Sequence, residues 1–219
     1  MIRKHLFAPG EYYHIYSRGT DKRNIFLNSD DYWRFMTALI IFQGNVHIPQ
    51  VSRLVPFVKH QMFDKEEFKE ILEKKTIDLV SFCLMSNHYH LLLKENLENG
   101  ISNFMQRLGN SYTKYFNLKY QRTGHLFGSV FQSRHIKKDK YLKHLSAYIH
   151  VNPSEIYSWN KKETVYPWSS FQDYVGKNRW SEFLCPSIVL DQFKNSKDYQ
   201  KYALESGAKS KPIQDIFID

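Results

Sequence analysis

Cysteine is nearly absent. The chain has two, Cys83 and Cys185, far apart in sequence. Two such residues exclude a disulfide framework and a cysteine-ligated zinc site, and they predict a reducing compartment. Long apolar runs are missing too. Nothing reaches the roughly 18 apolar residues of a membrane-spanning helix, and the N-terminus has no apolar signal core, so a cytoplasmic protein with no membrane association is expected. There is no internal repeat and no low-complexity tract. Acid is scarce in one window above all: residues 101–150 hold nine basic side chains and a single carboxylate, Asp139.

That window supplies eight of the chain's net charge of +9. A solvated surface needs no such imbalance, so the charge points to a polyanion, nucleic acid before an anionic membrane, and to a nucleoid-associated protein. The same window carries Phe104, Tyr112, Tyr115, Phe116, Tyr120, Phe127, Phe131, Tyr141 and Tyr148. Cations track a phosphate backbone and aromatic faces stack on unpaired bases, although most of these rings are expected in the core. The candidate DNA contacts are Arg18, Arg107, Asn110, Lys114, Arg122, Arg134, Lys137 and Lys138.

The apolar pattern gives the order of elements. Glu11–Arg18 reads as a first strand. Asn28-Ser29-Asp30 caps a helix over about 31–42, with Tyr32, Phe35, Met36, Leu39 and Ile40 as its apolar side. Residues 44–60 read as irregular, with Pro49 and Pro56, and 64–74 as a short charged helix, so 44–75 is an insertion. Ile77–Met85 and His88–Glu95 are two strands joined at Ser86-Asn87. A helix of about twenty residues follows, in which Arg107, Asn110 and Lys114 form a polar stripe suited to phosphates. Gly128–Ile136 is a fourth strand. A third helix runs from Asp139, as its cap, to Asn152, where Pro153 stops it. The result is an α+β protein with the ferredoxin-like β-α-β-β-α-β order, an antiparallel sheet with helices on one face, a third helix and a helical C-terminal extension. Residues 1–153 form the expected catalytic domain and 154–219 an extension packed on it. Two short helices are expected within 186–206, and a loose tail over 209–219.

Chemistry concentrates in two places. In a strand, His88 and His90 point to the same face about 7 Å apart, so their imidazoles can converge on a metal ion. A structural pair of half-buried histidines fits the same pattern. Tyr148 and Asn152 are spaced i and i+4, on one face of a helix. A cation on His88 and His90 would take Asn152 as a third, oxygen ligand, with Tyr148 one turn away as a nucleophile. Tyr112, Tyr115 and Tyr141 are rival nucleophiles, and His150 should face away from Tyr148.

Several motifs together resemble the HUH single-tyrosine transposases, insertion-sequence-200-like or REP-associated. They are Tyr13-His14-Ile15-Tyr16-Ser17-Arg18-Gly19, Met85-Ser86-Asn87-His88-Tyr89-His90-Leu91-Leu92, Arg122-Thr123-Gly124-His125-Leu126-Phe127, Tyr148-Ile149-His150-Val151-Asn152-Pro153 and Trp168-Ser169-Ser170. The resemblance implies that His88 and His90 bind a divalent metal, Mg²⁺ or Mn²⁺, and that Tyr148 forms a covalent 5′-phosphotyrosine. It also implies a single-stranded DNA substrate with a hairpin or palindromic repeat. The insertion-sequence branch usually has glutamine four residues after the tyrosine; Asn152 is shorter and looks like the REP-associated branch. Relatives in the former branch are homodimers, and some REP-associated ones act alone. Two other readings are a catalytically silent or domesticated binder of hairpin DNA and a base-stacking ferredoxin-like module. The second lacks the aromatic motif such modules carry on their strands.

Overall fold

The computed structural model describes residues 7–208; the expected tail over 209–219 lies outside them. Four strands form one antiparallel sheet: β1 (Tyr12–Arg18), β2 (Ile77–Met85), β3 (His88–Glu95) and β4 (Gln132–Ile136), in the spatial order β2-β3-β1-β4. This is the strand order of a ferredoxin-like sheet. The strand pattern dictates two buried faces. Tyr13, Ile15, Leu79, Phe82, Leu84, Tyr89, Leu91 and Leu93 pack into one core, and Val80, Cys83, Met85 and Leu92 into a second. Alternation holds along β1 and β3, and β2 keeps it only through an irregularity in its pairing between Leu79 and Ser81, an inserted residue that swaps which side chains face which core.

Over the first core lie α1 (Ser29–Ile41) and α4 (Gly100–Lys119). Asn28 caps α1, its side chain accepting from the Asp30 and Asp31 amides at 3.1 and 3.3 Å while Asp31 accepts from the Asn28 amide at 3.3 Å. This reciprocal box satisfies amides that the helix cannot. Gly100 starts α4 against the sheet edge, where a Cβ would stand 2.3 Å from the Thr76 carbonyl oxygen.

Residues expected to be irregular contain a helix, α2 (Val51–Lys59), with Pro56 inside it, followed by α3 (Glu66–Glu73). Proline removes one helical hydrogen bond, but Val51, Leu54 and Val58 are buried in the first core, and burial of that stripe overrides local propensity.

The third helix and the C-terminal extension take the other face. α5 (Asp139–His150) covers the second face with α6 (Phe171–Val175), α7 (Ser187–Leu190) and α8 (Ser196–Glu205). The outer edge of β2 is covered by Trp168–Ser170: Leu84 donates to the Trp168 carbonyl at 2.9 Å and Ser170 to the Phe82 carbonyl at 3.0 Å. An edge so paired offers no template for another strand. β4 begins at Gln132 rather than Gly128, and α5 ends at His150 rather than Asn152. Asn152 opens a 3-10 turn over Asn152–Glu155, with Pro153 at its start. The α5 cap position is Lys138, not Asp139, and no side chain caps it.

Candidate active site on the sheet face

Register brings the polar residues together. Directly paired residues in an antiparallel sheet share a face, and three rows cross β3 and β1: His88 beside Arg18, His90 beside Tyr16, and Leu92 beside His14. β4 extends two of them, with Gln132 beside Tyr16 and Arg134 beside His14. The two histidines therefore face the second core, under α5.

α5 carries Tyr148 onto this surface. Its ring stands edge-on to His90, with centroids 5.5 Å apart and planes at 89°, and 6.3 Å from His14. Tyr148 is half-buried. Burial is the main influence pushing its phenol above the ordinary value, Glu155 adds to that, and the positive charge of Arg18 opposes it. Arg18 itself is exposed.

Asn152 is buried although it lies beyond the helix expected to hold it. Its Nδ2 donates to the Tyr148 carbonyl at 2.7 Å, which ties the 3-10 turn to the last turn of α5 and leaves the amide oxygen as the end able to act as a ligand. Each imidazole has an orienting partner. Asn87 Nδ2 donates to the Lys22 carbonyl at 3.1 Å, so Asn87 Oδ1 is the atom 2.6 Å from His88 Nδ1. A carboxamide oxygen only accepts. His88 Nδ1 therefore carries a proton, and in the neutral imidazole Nε2 keeps the lone pair. His90 Nδ1 lies 2.9 Å from His14 Nε2.

Among the described residues, no group of three or more His, Cys, Asp or Glu side chains is arranged to hold a metal ion. The donors expected from the sequence are two imidazoles and a carboxamide oxygen, a set without a carboxylate.

The basic residues divide. Arg18 and Arg134 share the histidine face, and Lys137 and Lys138 sit exposed just before α5, Lys138 roughly 15 Å along the helix axis from Tyr148. The polar stripe of α4 is elsewhere: that helix packs on the opposite face of the sheet, so Arg107, Asn110 and Lys114 do not reach the histidines. Arg107 is also engaged internally, donating to the carbonyls of Gly44, at 2.7 Å, and Val46, and lying over the Phe42 ring. Arg122 lies over the Phe116 ring at the end of α4.

The rival tyrosines have other partners. Tyr112 is buried in the first core and donates to the Ile25 carbonyl at 2.5 Å, and Tyr115 donates to Asp31 at 2.9 Å. Tyr141 is two turns up α5. His150 is turned away, as its spacing implied, with Nδ1 2.6 Å from the Tyr199 hydroxyl and Nε2 2.8 Å from Ser170 Oγ.

His14, Tyr16, Asn87 and Gln132 were not singled out from sequence. The alternation in Tyr13-His14-Ile15-Tyr16 puts His14 and Tyr16 on one face, but only the β1–β3 register shows that it is the face of His90.

No curated protein sequence matches the chain. Among solved structures it is similar to a REP-associated tyrosine transposase bound to a REP hairpin. The TM-score is 0.52 at 15% identity, over 86% of this chain and 93% of that one, a likeness of fold. A likeness to tRNA(His) guanylyltransferase from Saccharomyces cerevisiae has a TM-score of 0.37 at 12% identity, over 97% of this chain and 85% of that one, too low to carry weight. The family model described as "Transposase IS200 like" matches residues 52–152, a span that includes His88, His90, Tyr148 and Asn152. The family match over residues 52–152 and the fold shared with a REP-associated tyrosine transposase together support a resemblance to the IS200-like, HUH single-tyrosine transposases.

Proposed function

We propose that this protein is a metal-dependent single-stranded DNA transposase that nicks and rejoins DNA through a covalent 5′-phosphotyrosine on Tyr148. The observation that carries the reading is the packing of the Tyr148 ring against His90, on the face where His88 and Arg18 also lie. The catalytic unit in this reading is residues 1–153, with 44–75 an insertion and 154–219 an extension, and the setting is the nucleoid.

The donor set fits a borderline divalent cation. Imidazole suits Mn²⁺ better than it suits Mg²⁺, and an amide oxygen suits both. His88 Nε2, His90 and the Asn152 amide oxygen would hold the ion. When bound it would withdraw charge from a nonbridging phosphate oxygen and fix the phosphate's orientation. This set has no carboxylate to neutralise the cation, so protein alone would bind it weakly and a DNA phosphate would supply the missing negative charge.

The chain's own groups do the rest. The Tyr148 phenol loses its proton to solvent, and its oxygen attacks phosphorus in line with the departing 3′ oxygen. The Tyr148 O–P bond forms, the P–O3′ bond breaks, and the 3′ oxygen takes up a proton. The phosphodiester energy is kept in the phosphotyrosine, so a 3′-hydroxyl attacking it reseals the strand without ATP. Arg18 lies beside His88, where its guanidinium can bind a phosphate oxygen and favour the phenolate at once. A shallow cleft lined by Tyr16, Arg18, Gly19 and Gln132 continues from these residues and offers a path for the strand. Arg134, Lys137 and Lys138 extend the basic surface on the same side, for a substrate that includes a hairpin.

The direct test is an adduct assay. Protein with Mn²⁺ and single-stranded oligonucleotides from both flanks of its gene should give a species that survives denaturation and disappears with EDTA. Tight binding of the same DNA with no adduct in any divalent metal would leave the silent-binder reading in its place.

A further inference from the structure

His14 is buried on a central strand, and the activity just described does not use it. A buried histidine held for structure has both ring nitrogens bonded, as His150 has in this molecule with Tyr199 and Ser170. His14 is built differently. Its Nε2 meets His90 Nδ1 at 2.9 Å with the ring planes 20° apart, and its Nδ1 has no hydrogen-bond partner among the described residues. A side chain chosen only to fill this space would be apolar, because an unpaired buried polar atom is destabilising. Among the described residues, the one polar contact His14 makes is to a candidate metal ligand.

The contact constrains tautomers. A single proton fits between His90 Nδ1 and His14 Nε2. If His90 presents Nε2 to a cation, its own proton is on Nδ1 and His14 Nε2 accepts it. The proton of His14 is then on Nδ1. His88 is held by the same logic, its Nδ1 donating to Asn87 Oδ1. The two histidines thus have separate orienting partners, a carboxamide for one and a third imidazole for the other. β1 fixes that imidazole by pairing with β3 on one side and β4 on the other.

We propose that His14 is a positioning residue for the metal site, accepting the His90 Nδ1 proton so that the His90 ring is fixed with Nε2 toward the cation. The proposal rests on the reading of His88 and His90 as metal ligands. Such outer partners change metal affinity by about 10- to 100-fold when removed.

The test compares wild type, His14→Phe and His14→Gln. Phenylalanine keeps the ring without an acceptor, whereas glutamine places a carbonyl oxygen near the site of Nε2. Calorimetric titration with Mn²⁺, in the presence of a non-cleavable single-stranded oligonucleotide, should show affinity falling about 10- to 100-fold in His14→Phe and recovering most of that loss in His14→Gln. Oligonucleotide affinity in EDTA should be the same for all three. Equal Mn²⁺ affinity in a folded His14→Phe protein would overturn the role of His14 alone. Absence of Mn²⁺ binding by wild type would overturn the metal site and this proposal with it. Should His14→Phe fail to fold, ¹⁵N-histidine spectra of wild type with Zn²⁺ as a diamagnetic probe decide the matter. A protonated His90 Nδ1 is expected, and an unprotonated one contradicts the proposal.

Discussion

Tyr148 stands edge-on to His90, the two rings 5.5 Å apart at 89°, with one supplied by the helix that covers the sheet and the other by the sheet itself. The packing buries half of the phenol, and burial raises its pKa. Arg18 acts against that rise from the strand beside His88. Burial thus favours the protonated phenol, and one nearby cation opposes it.

A pH dependence follows. Only the phenolate attacks, and its pKa lies above 10, so its fraction grows tenfold per pH unit on the acid side of that value. Single-turnover nicking should therefore rise with pH from 7 to 9 with a slope approaching one. Arg18→Gln raises the phenol further and should lower the rate about 3- to 10-fold at each pH. A flat profile in wild type would show that a step other than phenol ionisation sets the rate.

Within one chain, α5 packs on the sheet face that carries His88 and His90, so the proposed site can be completed without a second protomer. Mixing His88→Ala protein with Tyr148→Phe protein should leave adduct formation at the level of the inactive variants. Restored activity in the mixture would mean that the tyrosine helix is exchanged between protomers.

Arg107 and Arg134 should behave oppositely. Arg107 is bonded to the Gly44 and Val46 carbonyls, and hydrogen bonds from a charged group contribute about 1.5–3 kcal/mol. Arg107→Ala should lower unfolding free energy in urea by about 2 kcal/mol and leave DNA affinity nearly unchanged. Arg134→Ala, on the histidine face, should weaken DNA binding and reduce its salt slope by about one, with little effect on stability. The reverse result would place the DNA on the α4 side of the sheet.

Burial also makes the fold sensitive to acid. His150 is held neutral by burial, its pKa lowered to about 3 from 6.5. Below pH 6.5 the unfolded chain binds a proton that the folded one does not. The stability from neutral His150 is therefore intact above 6.5 and lost as pH falls toward 3, by about 1.4 kcal/mol per pH unit. His150→Gln should flatten the pH dependence of unfolding between pH 6 and 4 by about that slope. His14, with its pKa likewise lowered to about 3, contributes equally to both proteins and cancels in the comparison. An unchanged slope would show that His150 is protonated in the folded state.

Strand order and the histidine pair were legible in sequence because both are local. β2 and β3 carry dense Val, Ile, Leu and Phe around a two-residue turn, and the His-x-His spacing fixes a shared face in any strand. What failed was set by distant partners. Arg107 belongs by spacing to a phosphate-binding stripe, but α4 packs on α1 and presents it to carbonyls of the 44–46 segment. α2 forms despite Pro56 because its apolar stripe is buried. His14 is separated from His90 by 76 residues, and nothing in the spacing of either strand gives their register. The i,i+4 relation of Tyr148 and Asn152 survived although the helix between them ends early, because the Asn152 amide bonds back to the Tyr148 carbonyl.

The central claim is that one phenol, on α5, becomes joined to DNA. Tandem mass spectrometry of a protease digest of the denatured adduct locates that bond. The expected result is a nucleotide remnant on Tyr148, its phosphate bonded to the phenol oxygen. A remnant on Tyr112, Tyr115, Tyr141 or any residue other than Tyr148 would contradict the account.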